Sequence, residues 1–286
     1  MIFLRLISWL PLGALYLLAD FLFVVVYYII RYRRQLVRKN LETSFPGKSR
    51  RELIQIEKEF YINLCDYAVE TLKLLTMTET FLSQRMVFRN QEIIQHYKDE
   101  QTPVLMLAAH QFNWEWLLAA GNFSLPVPID FVYQPLHLSF FNAFLLKCRT
   151  RFGAYPIKRD DVAREVIRRK GILRGVAIIA DQYPGLKRDK KFPLHFMGQE
   201  TVFFQGANQL ALLTQYPVVF AGVKKIKRGY YEATFIKIAE PPYPKGDVSI
   251  IKTYAAEVEK LIRENPAGWL WTHRRWKRRH IKGIKY

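Results

Sequence analysis

The sequence predicts an α/β fold, a central and mostly parallel sheet covered by helices. Three observations predict it. From Pro103 onward, apolar runs of strand length alternate with segments of helix length, as in layered α/β domains. The strand-length runs VLMLAA, IDFVY, GVAIIA and PVVFAGV are nearly continuous in apolar residues, which implies burial on both faces. The chain has 286 residues, 50% of them hydrophobic and 15% aromatic, enough to bury a sizeable core in one large domain or two small ones.

The elements come in order. Residues 6–30 read LISWLPLGALYLLADFLFVVVYYII, with Asp20 the single charge. As one helix this stretch would be about 37 Å long at ~1.5 Å per residue, enough to cross a ~30 Å hydrocarbon layer with some tilt. It is too long for a cleaved signal peptide and ends in no small-residue cleavage site. RYRRQLVRKN comes next, five basic residues in ten, which places that flank and the remainder of the chain on the cytoplasmic side of a membrane. Pro11 interrupts the stretch, so residues 1–30 read as a spanning helix or as an in-plane anchor. A buried hairpin of core helices is the reading that needs no membrane. The chain thus divides into a hydrophobic anchor, 1–30, and a cytoplasmic domain, 31–286. NLETSFPGKS at 40–49 reads as a turn. Residues 50–75 carry Leu53, Ile56, Phe60, Leu64, Tyr67 and Leu74 at helical spacing. A second helix is expected over 79–86. Further helices are expected near 114–121, 138–152, 160–173, 203–215 and 248–264, and a last strand over 230–238.

The first strand of the series ends in LMLAAHQFNWEWLLAAG. His110 lies at its carboxyl end, where open α/β sheets usually bind ligands. Asn113 is a good N-cap for a short helix beginning at Trp114. On one continuous helix, residues five apart point about 140° away from each other. With His110 in the turn and Glu115 in the first helical turn, the two side chains can instead converge. A carboxylate on one imidazole nitrogen leaves the other free to take a proton, the orienter–base arrangement of acyl-transfer chemistry. A capping histidine beside a solvated glutamate is the alternative that the spacing leaves open.

Lys and Arg number 44 against 25 acidic residues, a formal charge of +19, which points to nucleic acid, an anionic membrane or an acidic partner. The two cysteines, Cys65 and Cys148, form no CxxC and suggest no disulfide framework. His96 and His137 have no partners at ligand spacing, so no metal is expected. His195, in the apolar context PLHF, reads as a core or channel histidine. The last sixteen residues hold seven Lys/Arg and no acid. Trp269, Trp271 and Trp276, interleaved with cations, favour a membrane-interfacial segment there over a solvated tail.

The ordered set of motifs resembles a known family. H-x4-E after an apolar strand resembles the signature of the glycerolipid and lysophospholipid acyltransferase superfamily. Within it the chain is similar to the lipid A late acyltransferases, the lauroyl and myristoyl transferases. The resemblance rests on the apolar N-terminus followed by RKNLETSFP, on HQFNWE at 110–115, VYQP at 132–135 and ADQYPG at 180–185, on the stretch 192–220, and on WLWTHRRWKRR at 269–279. It covers almost the whole chain. H-x4-E alone is a weak signal; the ordered set is specific.

The resemblance implies a glycerolipid acyltransferase-like fold and transfer of an acyl chain from a thioester carrier to a lipid hydroxyl at the cell inner membrane. Acyl carrier protein is the implied donor and partner, a lipid A precursor the acceptor, an anionic membrane surface the setting. Neither a cofactor nor nucleic acid is implied. Carried over by position, His110 is the general base and Glu115 its orienter. Asn113, Gln134, Arg159, Asp181, His273, Arg274 and Arg275 are the implied substrate contacts. The stretch 192–204 would line the acyl channel. No G-x-S-x-G occurs, so no covalent acyl-enzyme is expected. One departure stands out: where many members have tyrosine–arginine–proline, this chain has Tyr133, Gln134 and Pro135. That puts recognition of the acceptor head group or its phosphate in question and keeps a second acceptor class open, an aminolipid or lysophospholipid, with acyl-CoA as the alternative donor. A basic, membrane-tethered protein that binds anionic ligands would explain the charge but not the His110–Glu115 strand edge.

Overall fold

A computed structural model describes residues 2–277. Helix α1 (Ile2–Ser8) and helix α2 (Leu12–Val24) are separated by Pro11, which cannot continue α1. A π turn, Val25–Ile29, prolongs α2. Helix α3 (Arg34–Ser44) takes up half of the segment expected as a turn, because Val37 and Leu41 are fully buried and the Asn40 amide donates to the carbonyls of Trp271 and His273. The turn shrinks to residues 45–49. A capping box between Ser49 and Glu52 then opens α4 (Arg50–Lys73). Helix α2 packs along α4 and buries Leu12, Leu15, Ala19 and Tyr27, while Leu17, Phe21 and Val24 on its other face are exposed.

The helix expected over 79–86 stops early. Helix α5 (Glu79–Ser83) gives way to strand β1 (Met86–Arg89), and helix α6 (Glu92–Asp99) comes next. The alternating series then runs β2 (Val104–Ala108), α7 (Trp114–Ser124), β3 (Ile129–Tyr133), α8 (Ser139–Thr150), β4 (Tyr155–Lys158), α9 (Val162–Arg168) and β5 (Gly175–Ile179). A hairpin of β6 (Lys191–Phe196) and β7 (Gln199–Phe204) stands apart from the main sheet. It delays the next helix, α10 (Gly206–Thr214), relative to the expected start at 203. Strands β8 (Val218–Lys227) and β9 (Tyr230–Ala239) and helix α11 (Ser249–Glu264) close the fold.

The seven-stranded sheet has the order β1-β9-β8-β2-β5-β3-β4, parallel throughout except between β8 and β9. Every residue of β2 is buried. Leu105 and Leu107 face one core with Tyr254 and Val258 of α11, and Val104 and Met106 face the other with Trp116 of α7 and Val69 of α4. The uninterrupted apolar character of β2 is what burial on both faces requires. Because β2, β5, β3 and β4 are parallel, their carboxyl ends share one edge of the sheet.

Candidate active site

Four of the singled-out residues gather at that edge. His110 stands two residues beyond β2 and Asp181 two beyond β5. The register pairs Ala108 with Ile179, so both side chains are delivered to the same point. Gln134 and Arg159 each stand one residue beyond the paired ends of β3 and β4, Tyr133 and Lys158.

His110 and Asp181 are in contact. The imidazole Nδ1 lies 2.6 Å from Asp181 Oδ1. Asp181 Oδ2 accepts from the His110 backbone N–H at 3.1 Å and from the Trp269 indole at 2.7 Å. Burial alone would raise the Asp181 pKa. The His110 ring and these hydrogen bonds outweigh it and hold the carboxyl below its ordinary value. An ionised Asp181 fixes the proton on Nδ1 and leaves Nε2 as the basic nitrogen. Nε2 has no hydrogen-bond partner among the described residues. The His110 side chain keeps 19% of its surface exposed against 1% for Asp181, so the imidazole is reachable from outside and the carboxylate is not.

Glu115 does not meet His110, and this corrects the expectation from spacing. Among the described residues no hydrogen bond joins the two. Phe112, between them, adopts a left-handed backbone with φ 49° and redirects the chain before α7 begins. The Glu115 carboxylate instead takes a bidentate pair from Arg149 of α8, at 2.8 and 2.6 Å, with Trp114 Nε1 at 3.1 Å and the Tyr67 hydroxyl at 3.3 Å. Glu115 is fully buried, and a buried carboxylate needs a facing cation more than a neutral ring. Burial opposes the Arg149 charge, but Glu115 outweighs it and raises the Arg149 pKa.

Asn113 is fully buried. Its Oδ1 caps α7 through the Trp116 N–H at 2.9 Å, and its amide donates to Glu70 at 2.6 Å. Its contacts are therefore internal, not with substrate. Gln134 is exposed, and its Oε1 lies 3.5 Å from Arg159 Nη1. Arg159 also pairs with the buried Asp189 and lies over the Phe204 ring at 4.3 Å.

The closing segment folds back on the loop that carries His110. Leu270 N–H donates to the His110 carbonyl at 3.0 Å, and Phe112 N–H donates to that of Gly268 at 2.8 Å. Trp269 and Trp271 are fully buried, so these two tryptophans are core and not interfacial. Arg275 is fully buried as well. It donates to Thr201 Oγ1 and to the Val202 carbonyl, lies over Phe203, and burial pushes its pKa down to about 9. It cannot meet a surface phosphate. His273 is half-buried and pushed down to about 4, first by burial, so it is neutral at physiological pH. Arg274 alone of the three is exposed. Residues 278–286, which carry the rest of the basic tail, lie outside the described residues. His195 is also corrected: its side chain is 72% exposed on the β6–β7 hairpin.

The sequence reading missed Trp269 and Arg149 as partners of the two carboxylates. The only sequence signal for Trp269 was its place in the closing motif. Arg149 lies 34 positions from Glu115 and gave none. A family model described as bacterial lipid A biosynthesis acyltransferase matches residues 1–278, nearly the whole chain. Comparison with curated proteins gave no match.

Proposed function

The chain belongs to the bacterial lipid A biosynthesis acyltransferase family, and from that premise we propose that it moves a fatty acyl chain from acyl carrier protein to a hydroxyl of a lipid A precursor, with His110 as general base and Asp181 as its orienter. The observation that carries the chemistry is the His110 Nδ1–Asp181 contact at 2.6 Å with Nε2 free. His110 Nε2 removes the acceptor hydroxyl proton as the oxygen attacks the thioester carbonyl. The tetrahedral adduct then expels the carrier thiolate, which takes the proton back from the imidazolium. Asp181 stabilises that imidazolium and fixes the ring tautomer. Glu115 and Arg149 hold Trp114, whose ring meets His110 edge-on at 5.1 Å. The charge of +19 suits an acidic carrier protein.

The N-terminal helices support work at a membrane surface. Residues 12–29 are apolar enough for a span, with mean hydropathy 2.1. Yet α2 is stitched to the domain along its length. Tyr16 donates to Glu70 at 2.7 Å, and Asp20 takes a 2.6 Å ion pair from Arg228, itself bound to Asp66. A helix crossing the bilayer would have to drag these partners with it. An in-plane anchor on the cytoplasmic face of the inner membrane, its outer face in lipid, fits better. One observation favours the second acceptor class: Arg159, which donates to Gln134, is already paired to Asp189.

Membranes carrying the full chain, given labelled acyl-acyl carrier protein and either a lipid A precursor or a lysophospholipid, test the proposal. Label is expected on the lipid A precursor and absent with His110→Ala. Label confined to the lysophospholipid, or drawn only from acyl-CoA, overturns it.

A further inference from the structure

Residues 134–141, QPLHLSFF, are exposed without exception, yet half of them are large and apolar. Leu136, Leu138, Phe140 and Phe141 are 45%, 66%, 47% and 51% exposed. A surface connection of this length is ordinarily polar, and contiguous exposed apolar residues mark a contact surface. The segment is held in shape: Asn142 Oδ1 accepts from the Leu136 N–H at 3.0 Å, and the Phe140 and Phe141 rings meet edge to face at 5.6 Å.

Its position is informative. It succeeds β3 at the same sheet edge as His110, Asp181 and Arg159, and it opens α8. The inner side of α8 grips the site through Arg149 and Glu115. The far end of α8 meets α1 in a cleft of about 390 Å³ lined by Ile2, Arg5, Leu75, Lys147, Thr150 and Arg151. That cleft has three cations and no carboxylate in its lining. The N-terminal segment that supplies Ile2 and Arg5 to this cleft also exposes Phe3, Leu6 and Trp9. Along α8 the surface therefore runs from apolar at the site rim, through cationic, to apolar at the N-terminus.

We propose that residues 136–141 form a second bilayer-contacting surface, which seats the rim of the His110 site on an anionic phospholipid membrane. Apolar side chains at both ends would enter the acyl layer, and Arg5, Lys147 and Arg151 between them would meet headgroup phosphates. The lipid acceptor could then reach the site without leaving the bilayer. This rests on the reading of the chain as a lipid-acylating enzyme at a membrane surface.

The test reads depth without turnover. Cys65 and Cys148 are buried, so a polarity-sensitive dye on Leu138→Cys reports that site alone in the full-length protein. Leu213→Cys, on the exposed end of α10, is the control. On phosphatidylglycerol–phosphatidylethanolamine vesicles the dye at 138 should shift to the blue and be quenched by spin-labelled acyl chains, and the dye at 213 should not. A dye at 138 that stays in water while the protein sediments with the vesicles overturns the proposal, as does an equal shift at both positions. Kinetics give a second readout. In Leu138→Glu/Phe140→Glu, with its melting temperature checked, KM for vesicle-embedded acceptor should rise about tenfold or more while turnover of detergent-dispersed acceptor stays within about twofold. Equal KM values for embedded acceptor would overturn it. Absence of acyl transfer by the wild type would instead remove the functional reading, and the dye measurement would still stand.

Discussion

At the scale of single residues, two buried carboxylates have separate partners: Asp181 meets His110 and Glu115 meets Arg149. Asp181 touches His110, the proposed base, so Asp181→Asn should lower kcat about 10²–10⁴-fold with little change in melting temperature. In the proposed mechanism His110 and Asp181 act as a unit, so the double variant with His110→Ala should be scarcely slower than His110→Ala alone, and multiplied losses would show that they act separately. Glu115 is different. Glu115→Ala leaves Arg149 mostly buried without its partner, which costs about 3–5 kcal/mol of stability. Adding Arg149→Met should recover much of that loss in denaturant unfolding. A Glu115→Ala protein that melts like wild type would contradict this division. Glu70 gives a pH signature. It is pushed up to about 7, chiefly by burial, against donors from Tyr16, Asn113 and Tyr231. The folded state therefore holds a proton that the unfolded state has released above about pH 4.5. Stability falls as pH rises through that window and levels off above about 7, by roughly 3 kcal/mol at ~1.4 kcal/mol per unit. Glu70→Gln should flatten this part of the curve, so its stability relative to wild type should improve between pH 5 and pH 8.

At the scale of elements, α2 is both core and surface. Leu15 is fully buried between α2 and its neighbours, so Leu15→Ala should cost about 2–5 kcal/mol, although it lies in a segment that reads as an anchor. Leu17→Ala, on the exposed face, should leave the melting temperature nearly unchanged in detergent while weakening vesicle binding. The opposite pattern would mean that α2 leaves the domain to cross the bilayer. The strand and helix series from 103 to 264 was legible because β2, β3, β5 and β8 lie in nearly continuous apolar runs separated by segments of helix length. The strands that were missed, β1, β4 and those of the β6–β7 hairpin, are short or only partly buried, and β1 and β4 are edge strands that carry little pattern of their own.

At the scale of the whole molecule, the formal charge of +19 should govern encounters with acidic partners. The apparent KM for the proposed donor, acyl carrier protein, should rise with ionic strength, and vesicle binding should weaken in high salt without being lost, because the apolar face of α1 and α2 is not screened. Salt-independent KM values would mean that the charge serves the membrane alone.

The sequence by itself determined the fold class and the strand edge at which His110 stands, because these depend on hydrophobic period and on which residue ends a buried strand. It also marked Asp181 as part of the site. Which carboxylate faces His110 was decided only by tertiary structure. The parallel register of β2 and β5 sets Asp181 opposite the imidazole, the left-handed Phe112 turns the chain before Glu115, and Arg149 on a distant helix captures Glu115. Sequence spacing measures separation along one chain segment. Pairing of a buried charge is settled between segments, where a low dielectric makes the choice of partner costly to get wrong.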